Sequence, residues 1–149
     1  MKLIRHGLVF AFCMYITLTV MVGCAHFHQI IFKNDACIIP VKGYNYRTCD
    51  RMEVLIDEKT FIVPKDFETD LASIPRLLWP VLAPQYTSFV NPGILHDYLY
   101  RCNNNVTRRY ADEVLYSALI TNGVTAFTAS KFYLAVRLFG GSHFEEAPC

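Results

Sequence analysis

The sequence predicts an α+β fold: a small N-terminal antiparallel sheet, a proline-rich loop, and a C-terminal segment of three helices containing a helical hairpin. Three observations carry this prediction. Short β-branched and aromatic runs separated by turn residues fill residues 29–63. Pro64, Pro75, Pro80, Pro84 and Pro92 then break any long regular element. Beyond residue 92, capping residues and glycines punctuate stretches with helical spacing.

The strands are expected at Gln29–Phe32, Cys37–Val41, Met52–Ile56 and Thr60–Val63, with turns at Asn34-Asp35, Lys42-Gly43 and Asp57-Glu58. Within the proline-rich stretch, Leu77-Leu78-Trp79-Pro80-Val81-Leu82 reads as core around one short helical turn after Pro75, rather than as an interfacial membrane contact. The first helix should begin with Asn91 as N-cap and Pro92 at the first helical position, and run to about Cys102. Asn103-Asn104-Asn105 forms a turn. Thr107 caps a second helix that ends near Asn122-Gly123, with Tyr110, Val114, Ala118 and Thr121 at helical spacing. Thr125 caps a third, which Gly140-Gly141 ends.

The 149 residues are enough for one domain with a real core, and 53% hydrophobic against 18% charged excludes a disordered polar chain. The formal charge is +1 and resides at the N-terminus. Without residues 1–23, which hold Lys2 and Arg5 and no acid, 12 basic and 13 acidic residues remain, a net charge of −1. No basic excess points to nucleic acid.

Residues 1–23 have the order of an export signal. Lys2 and Arg5 precede an apolar run from Leu8 to Val22, which is too short to span a bilayer comfortably. The run ends in Met21-Val22-Gly23-Cys24, which resembles a bacterial lipobox, with Met21 where leucine is usual. That resemblance implies a signal peptide over 1–23, lipid attachment (diacylglycerol, palmitate) at Cys24, and a mature domain over 24–149. It places the domain in the bacterial cell envelope, extracytoplasmic and held on a membrane through a lipid anchor. Cysteine usage agrees. Cys13 leaves with the signal and Cys24 takes lipid, so Cys37, Cys49, Cys102 and Cys149 enter an oxidising compartment as an even number. Three pairings are open. Cys37 with Cys49 would bracket a hairpin and leave Cys102 to hold Cys149.

Chemistry is concentrated in His96-Asp97-Tyr98-Leu99-Tyr100-Arg101. His96 and Tyr100 are four apart and share a helical face, while Asp97 lies a quarter-turn away. Asp112, with Arg108 one turn before it, lies on the next helix. The turn is centred on Asn104, so His96 and Asp112, each eight residues from it, stand at the same height on antiparallel helices. A carboxylate there would orient the imidazole, fix its tautomer and raise its proton affinity.

This helix pair is similar to phospholipase A2. The resemblance implies His96 as the base that activates water, Asp112 as its partner, Tyr100 as part of the catalytic motif and Asp97 as a calcium ligand, with phospholipid as substrate. The family's glycine-rich calcium loop has no counterpart here. Thr69-Asp70-Leu71-Ala72-Ser73-Ile74-Pro75 is the nearest candidate, offering Asp70 as a further oxygen ligand. A second resemblance covers more of the chain. The ordered motifs from Val63 to Pro75, Trp79-Pro80, His96 to Arg101, Arg109-x-Ala111-Asp112 and Ala135 to Gly140 resemble an uncharacterised family of phages, prophages and bacteria.

Two functions follow. One is a calcium-dependent ester hydrolase using a His96–Asp112 dyad. The other is a non-catalytic envelope lipoprotein that binds another envelope or receptor protein. In the second, His96 and Asp112 belong to a buried polar network, Asp70 pairs with Arg76 or Arg109 or caps a turn with Ser73, and Arg108 starts a helix or pairs with Asp112. A zinc site is the weaker reading, because His26 and His28 abut the cysteine to be lipidated and His143 lies in the tail.

Overall fold

A computed structural model describes residues 26–43, 45–71, 87–101 and 105–144. Among the described residues six strands precede three α-helices. They are β1 (Ile30–Phe32), β2 (Ile38–Pro40), β3 (Tyr46–Thr48), β4 (Met52–Ile56), β5 (Lys59–Val63), β6 (Glu68–Thr69), α1 (Val90–Arg101), α2 (Arg108–Thr121) and α3 (Ala126–Phe139). The α+β expectation holds, with one difference. The strands form two three-stranded antiparallel sheets, ordered β1-β4-β5 and β2-β3-β6, where one sheet was expected.

The first sheet follows from period-2 patterning. Met52, Val54 and Ile56 on β4 and Phe61 and Val63 on β5 all point inward, in the register Met52↔Val63, Val54↔Phe61. Asp57 and Glu58 both have positive φ and close the β4–β5 hairpin as a two-residue turn. The second sheet contains β3 and β6, neither of which was expected. The Cys37–Cys49 disulfide closes its β2–β3 hairpin, where Cys49 N–H also donates to Cys37 O at 2.9 Å. Closing a loop of this length contributes roughly 3 kcal/mol by restricting the unfolded chain. Cys102 and Cys149 lie outside the described residues, as do Cys24, the signal segment, the helical turn after Pro75 and the Leu77–Leu82 stretch.

Helix α1 starts earlier than its sequence suggests. A 3-10 turn at Thr87–Phe89 leads directly into Val90, so Asn91 is the second helical residue and not the N-cap. Its side chain is used elsewhere: the amide oxygen accepts from Ala36 N–H at 3.0 Å and the amide nitrogen donates to Asp35 at 3.1 Å, tying α1 to the β1–β2 connection. Thr107 and Thr125 cap α2 and α3 as expected, accepting from the N–H groups of Tyr110 and Thr128.

Helix α1 is buried on nearly every side, from Asn91 to Asp97 and again at Leu99 and Tyr100. It therefore lies at the centre, with Ile94, Leu95 and Leu99 packed on the inner face of the first sheet and on Val114 and Ala118 of α2. A second cluster, built on Leu115, Leu119, Phe132, Ala135 and Val136, joins α2 to α3. Among the described residues no helix is long and apolar enough to cross a membrane.

Candidate functional site

A central helix that carries His96 and Asp97 must supply partners for both, because unpaired polar groups at full burial cost several kcal/mol. His96, Asp97 and Asp112 are each 0% exposed. The symmetric placement about the hairpin turn holds: His96 Nε2 lies 3.2 Å from Asp112 Oδ1. Tyr100, one turn beyond His96, donates its hydroxyl to the same oxygen, and the two rings pack with centroids 4.0 Å apart.

The other carboxylate oxygen of Asp112 faces two arginines. Arg137 Nη1 from α3 donates to Oδ2 at 2.7 Å, and Arg108 Nε, one turn earlier on α2, lies 3.9 Å away. Arg108 also donates to the carbonyl oxygens of Val136 (2.9 Å) and Arg137 at the end of α3, where the helix dipole favours a cation. Asp112 thus joins all three helices. A Cβ on Gly140, the residue that ends α3, would come within 2.9 Å of the Tyr100 hydroxyl, so the absence of a side chain there gives the network its room.

Asp97 turns inward. Thr69 Oγ1 on β6 donates to its Oδ2 at 2.5 Å, while Thr69 Oγ1 itself accepts from Leu71 N–H at 2.9 Å. The other oxygen, Oδ1, is 3.8 Å from His96 Nδ1, a charge contact too long for a hydrogen bond. Nδ1 is accordingly buried with no hydrogen-bond partner. The sequence reading has Asp97 facing away toward a cation and Asp70 beside it. In the structure Thr69 makes the contact, and Asp70 follows it, partly buried, just past the end of β6. Arg101 reaches the same strand, donating to Glu68 O at 2.6 Å. Arg109 pairs with Glu113 at 2.9 Å, and Arg76 and Ser73 lie outside the described residues.

The electrostatics follow from this packing. Burial by itself would lower the proton affinity of His96, but the hydrogen bond to Asp112 and the negative charges of Asp112 and Asp97 outweigh it and raise the pKa. Burial would raise the pKa of Asp97, and His96, Thr69 and Arg101 together lower it. Burial and the Asp112 charge push the Tyr100 phenol far above its usual range, so it stays a donor. The Asp112 hydrogen bond raises the pKa of Arg137, which keeps its charge.

Sequence reasoning reaches His96, Asp97, Tyr100 and Asp112 but misses the roles of Thr69 and Arg137. Both lie inside the chain's ordered motifs, yet only the tertiary fold shows what they contact. An open depression of about 830 Å³ lies elsewhere, at the Asn91 end of α1 and the Thr121 end of α2. Its lining includes Asp35, Asn91 and Asn122, and none of the buried network residues.

Comparison with curated proteins and with solved structures finds no match. A family model described as "Protein of unknown function (DUF1353)" does match, over residues 46–136, from the first residue of β3 nearly to the end of α3. That span holds Thr69, His96, Asp97, Tyr100 and Asp112, and with well over half of its length matched the chain belongs to the DUF1353 family.

Proposed function

We propose that this chain is a lipid-anchored envelope lipoprotein whose His96–Asp112 network is structural, and that it works by binding another envelope or receptor protein through exposed surface. One observation carries the structural role of the network: His96, Asp97 and Asp112 have no exposed surface at all. A general base must meet its substrate, and a ring with no exposed surface is closed to one. The carboxylates that raise the pKa of His96 also make it offer a lone pair less often. The surface has apolar groups to contribute to a partner, since α3 leaves Phe127, Leu138 and Phe139 more than half exposed. The lipobox-like Gly23-Cys24 and the likeness to phage and prophage proteins support the envelope setting.

A second reading has its own observation in its favour. His96 Nε2 is held by Asp112 while Nδ1 is unpartnered. A ring oriented on one nitrogen and vacant on the other is the arrangement a phospholipase A2-like hydrolase uses to activate water. Calcium would then take Asp97 in exchange for Thr69, with Asp70 nearby in sequence.

Fatty-acid release from phosphatidylglycerol–phosphatidylethanolamine vesicles decides between them, using the full chain in detergent with and without calcium. The lipoprotein reading expects no release above the blank, and a His96→Asn variant that is less stable by about 1–3 kcal/mol in urea unfolding. Calcium-dependent release that disappears in a folded His96→Asn variant would replace it with the hydrolase.

A further inference from the structure

We propose that His26, His28 and Asp57 form a binding site for a divalent transition-metal ion of the zinc class. This site is separate from the His96 network and independent of the function proposed above. Each of the three residues offers one ligand atom, and these atoms all lie within 4.8 Å of one another. Two ligands bound to one tetrahedral zinc at about 2.1 Å are roughly 3.4 Å apart. Closing the remaining gap is a small movement for His26, which is exposed and lies near the start of the described chain.

The site is assembled from three distant segments. His26 and His28 precede β1, with ring centroids 4.9 Å apart. Asp57 sits in the β4–β5 turn and is fixed against the same segment: its N–H donates to Gln29 O at 3.1 Å, and its Oδ1 accepts from Gln29 N–H at 2.8 Å. Its Oδ2 is paired with His28 Nδ1. Helix α2 supplies the floor, where Ser117 Oγ accepts from His28 N–H at 3.0 Å and the Tyr110 ring packs on the imidazole at 4.7 Å.

A second observation points to an ion. The His28 side chain is 5% exposed, and its Nε2 has no hydrogen-bond partner although it aims at Glu113 Oε2, 3.8 Å away. Glu113 is itself buried and is held through its other oxygen by Arg109 at 2.9 Å. His28 therefore stands between two carboxylates. A neutral imidazole has one N–H and can answer only one of them. An ion on Nδ1 would satisfy Asp57 by shared ligation and leave the ring proton on Nε2 for Glu113. Metal-bound histidines commonly have such a carboxylate behind them.

The donor set selects the metal class. Two imidazoles and one carboxylate suit zinc and its neighbours, and they supply too few oxygens for calcium. The exposed sides of His26 and Asp57 leave a fourth position for water.

The test uses the full chain in detergent, stripped with chelator and then titrated with Zn²⁺ by calorimetry and with Co²⁺ by visible absorption. One ion per chain is expected, with cobalt bands of tetrahedral intensity. His26→Ala and Asp57→Asn should each weaken binding by ~10-fold or more, the scale seen for losses even one shell out from a metal. Both positions are exposed, and asparagine tolerates the positive φ of residue 57, so thermal unfolding should show both variants folded. No Zn²⁺ binding by the wild type would overturn the proposal and leave the cluster a hydrogen-bonded pair. Binding that persists undiminished in both variants, as cysteine thiols would give, would overturn it equally.

Discussion

Asp112 accepts from His96 and Tyr100 on α1 and from Arg137 on α3 while sitting on α2, so one carboxylate holds three helices in register. Its arginine partner is only partly buried, but the His96 side of the network is sealed, and there the charge state sets the energy. The pKa of His96 is raised above the ordinary histidine value of 6.5 on folding. Its contribution is therefore complete below about pH 6.5 and is lost as pH rises through the higher folded value. Asp97 has the opposite sign: its lowered pKa gives stability above the ordinary carboxylate range that is lost in acid. Urea unfolding of the wild type at a series of pH values should show stability falling on the alkaline side of 6.5, and His96→Gln should flatten that limb and weaken the acid limb as well, because His96 helps to lower the Asp97 pKa. An alkaline limb unchanged in the variant would assign the titration to another group. The His96–Asp112 pair was legible in the sequence because both residues sit eight positions from one turn. Arg137 and Thr69 were not, because each reaches the network from an element 25 or more residues away, and helical spacing carries no information at that range.

At the scale of elements, the two helix caps and the β4–β5 hairpin were legible because their signals are local: a threonine before a helical run, and a period-2 alternation around Asp57-Glu58. Strands β3 and β6 carry no such signal. They are three and two residues long, polar in part, and exist through pairing with each other and with β2. The approach of β6 to α1 depends on Gly93. A Cβ there would lie 2.3 Å from the carbonyl oxygen and 2.8 Å from the carbonyl carbon of Leu71, both backbone atoms that cannot rotate aside. Gly93→Ala should gain about 1 kcal/mol of helix propensity. The forced separation of α1 from the end of β6 should cost more, at about 1–3 kcal/mol for overpacking, and should strain the Thr69–Asp97 hydrogen bond as well. The expected result is a net loss in urea unfolding. A stabilised Gly93→Ala would mean that the Leu71 segment moves without cost and that β6 is not a fixed wall of the network.

For the whole molecule, the decisive constraint is how little chain separates the proposed anchor from the fold. His28 is pinned by Ser117 and Asp57, and only three residues separate it from Cys24, four residue steps that reach at most about 14 Å when extended. A lipid on Cys24 would hold the domain against the bilayer by the face bearing His28 and Tyr110, with Phe27, over half exposed, turned toward the lipid surface. The alternative anchor is the apolar run from Leu8 to Val22. As a helix it would be about 22 Å long against a hydrocarbon core of about 30 Å, a poor match for a permanent span. Two acyl chains on one cysteine, by contrast, anchor stably, at roughly 0.8 kcal/mol per buried CH₂. Cys24→Ser should therefore move the protein out of the membrane fraction, or leave it unprocessed with its leader attached. The wild type should pellet with membranes, resist high salt and be released by detergent. The variant's domain should still fold, because the ties of His28 to α2 and to the β4–β5 turn do not depend on the lipid. A Cys24→Ser protein of processed size that remains in the membrane pellet would sink the lipoprotein assignment, and would leave the exposed apolar residues of α3 and the first sheet as the surfaces to test for membrane contact.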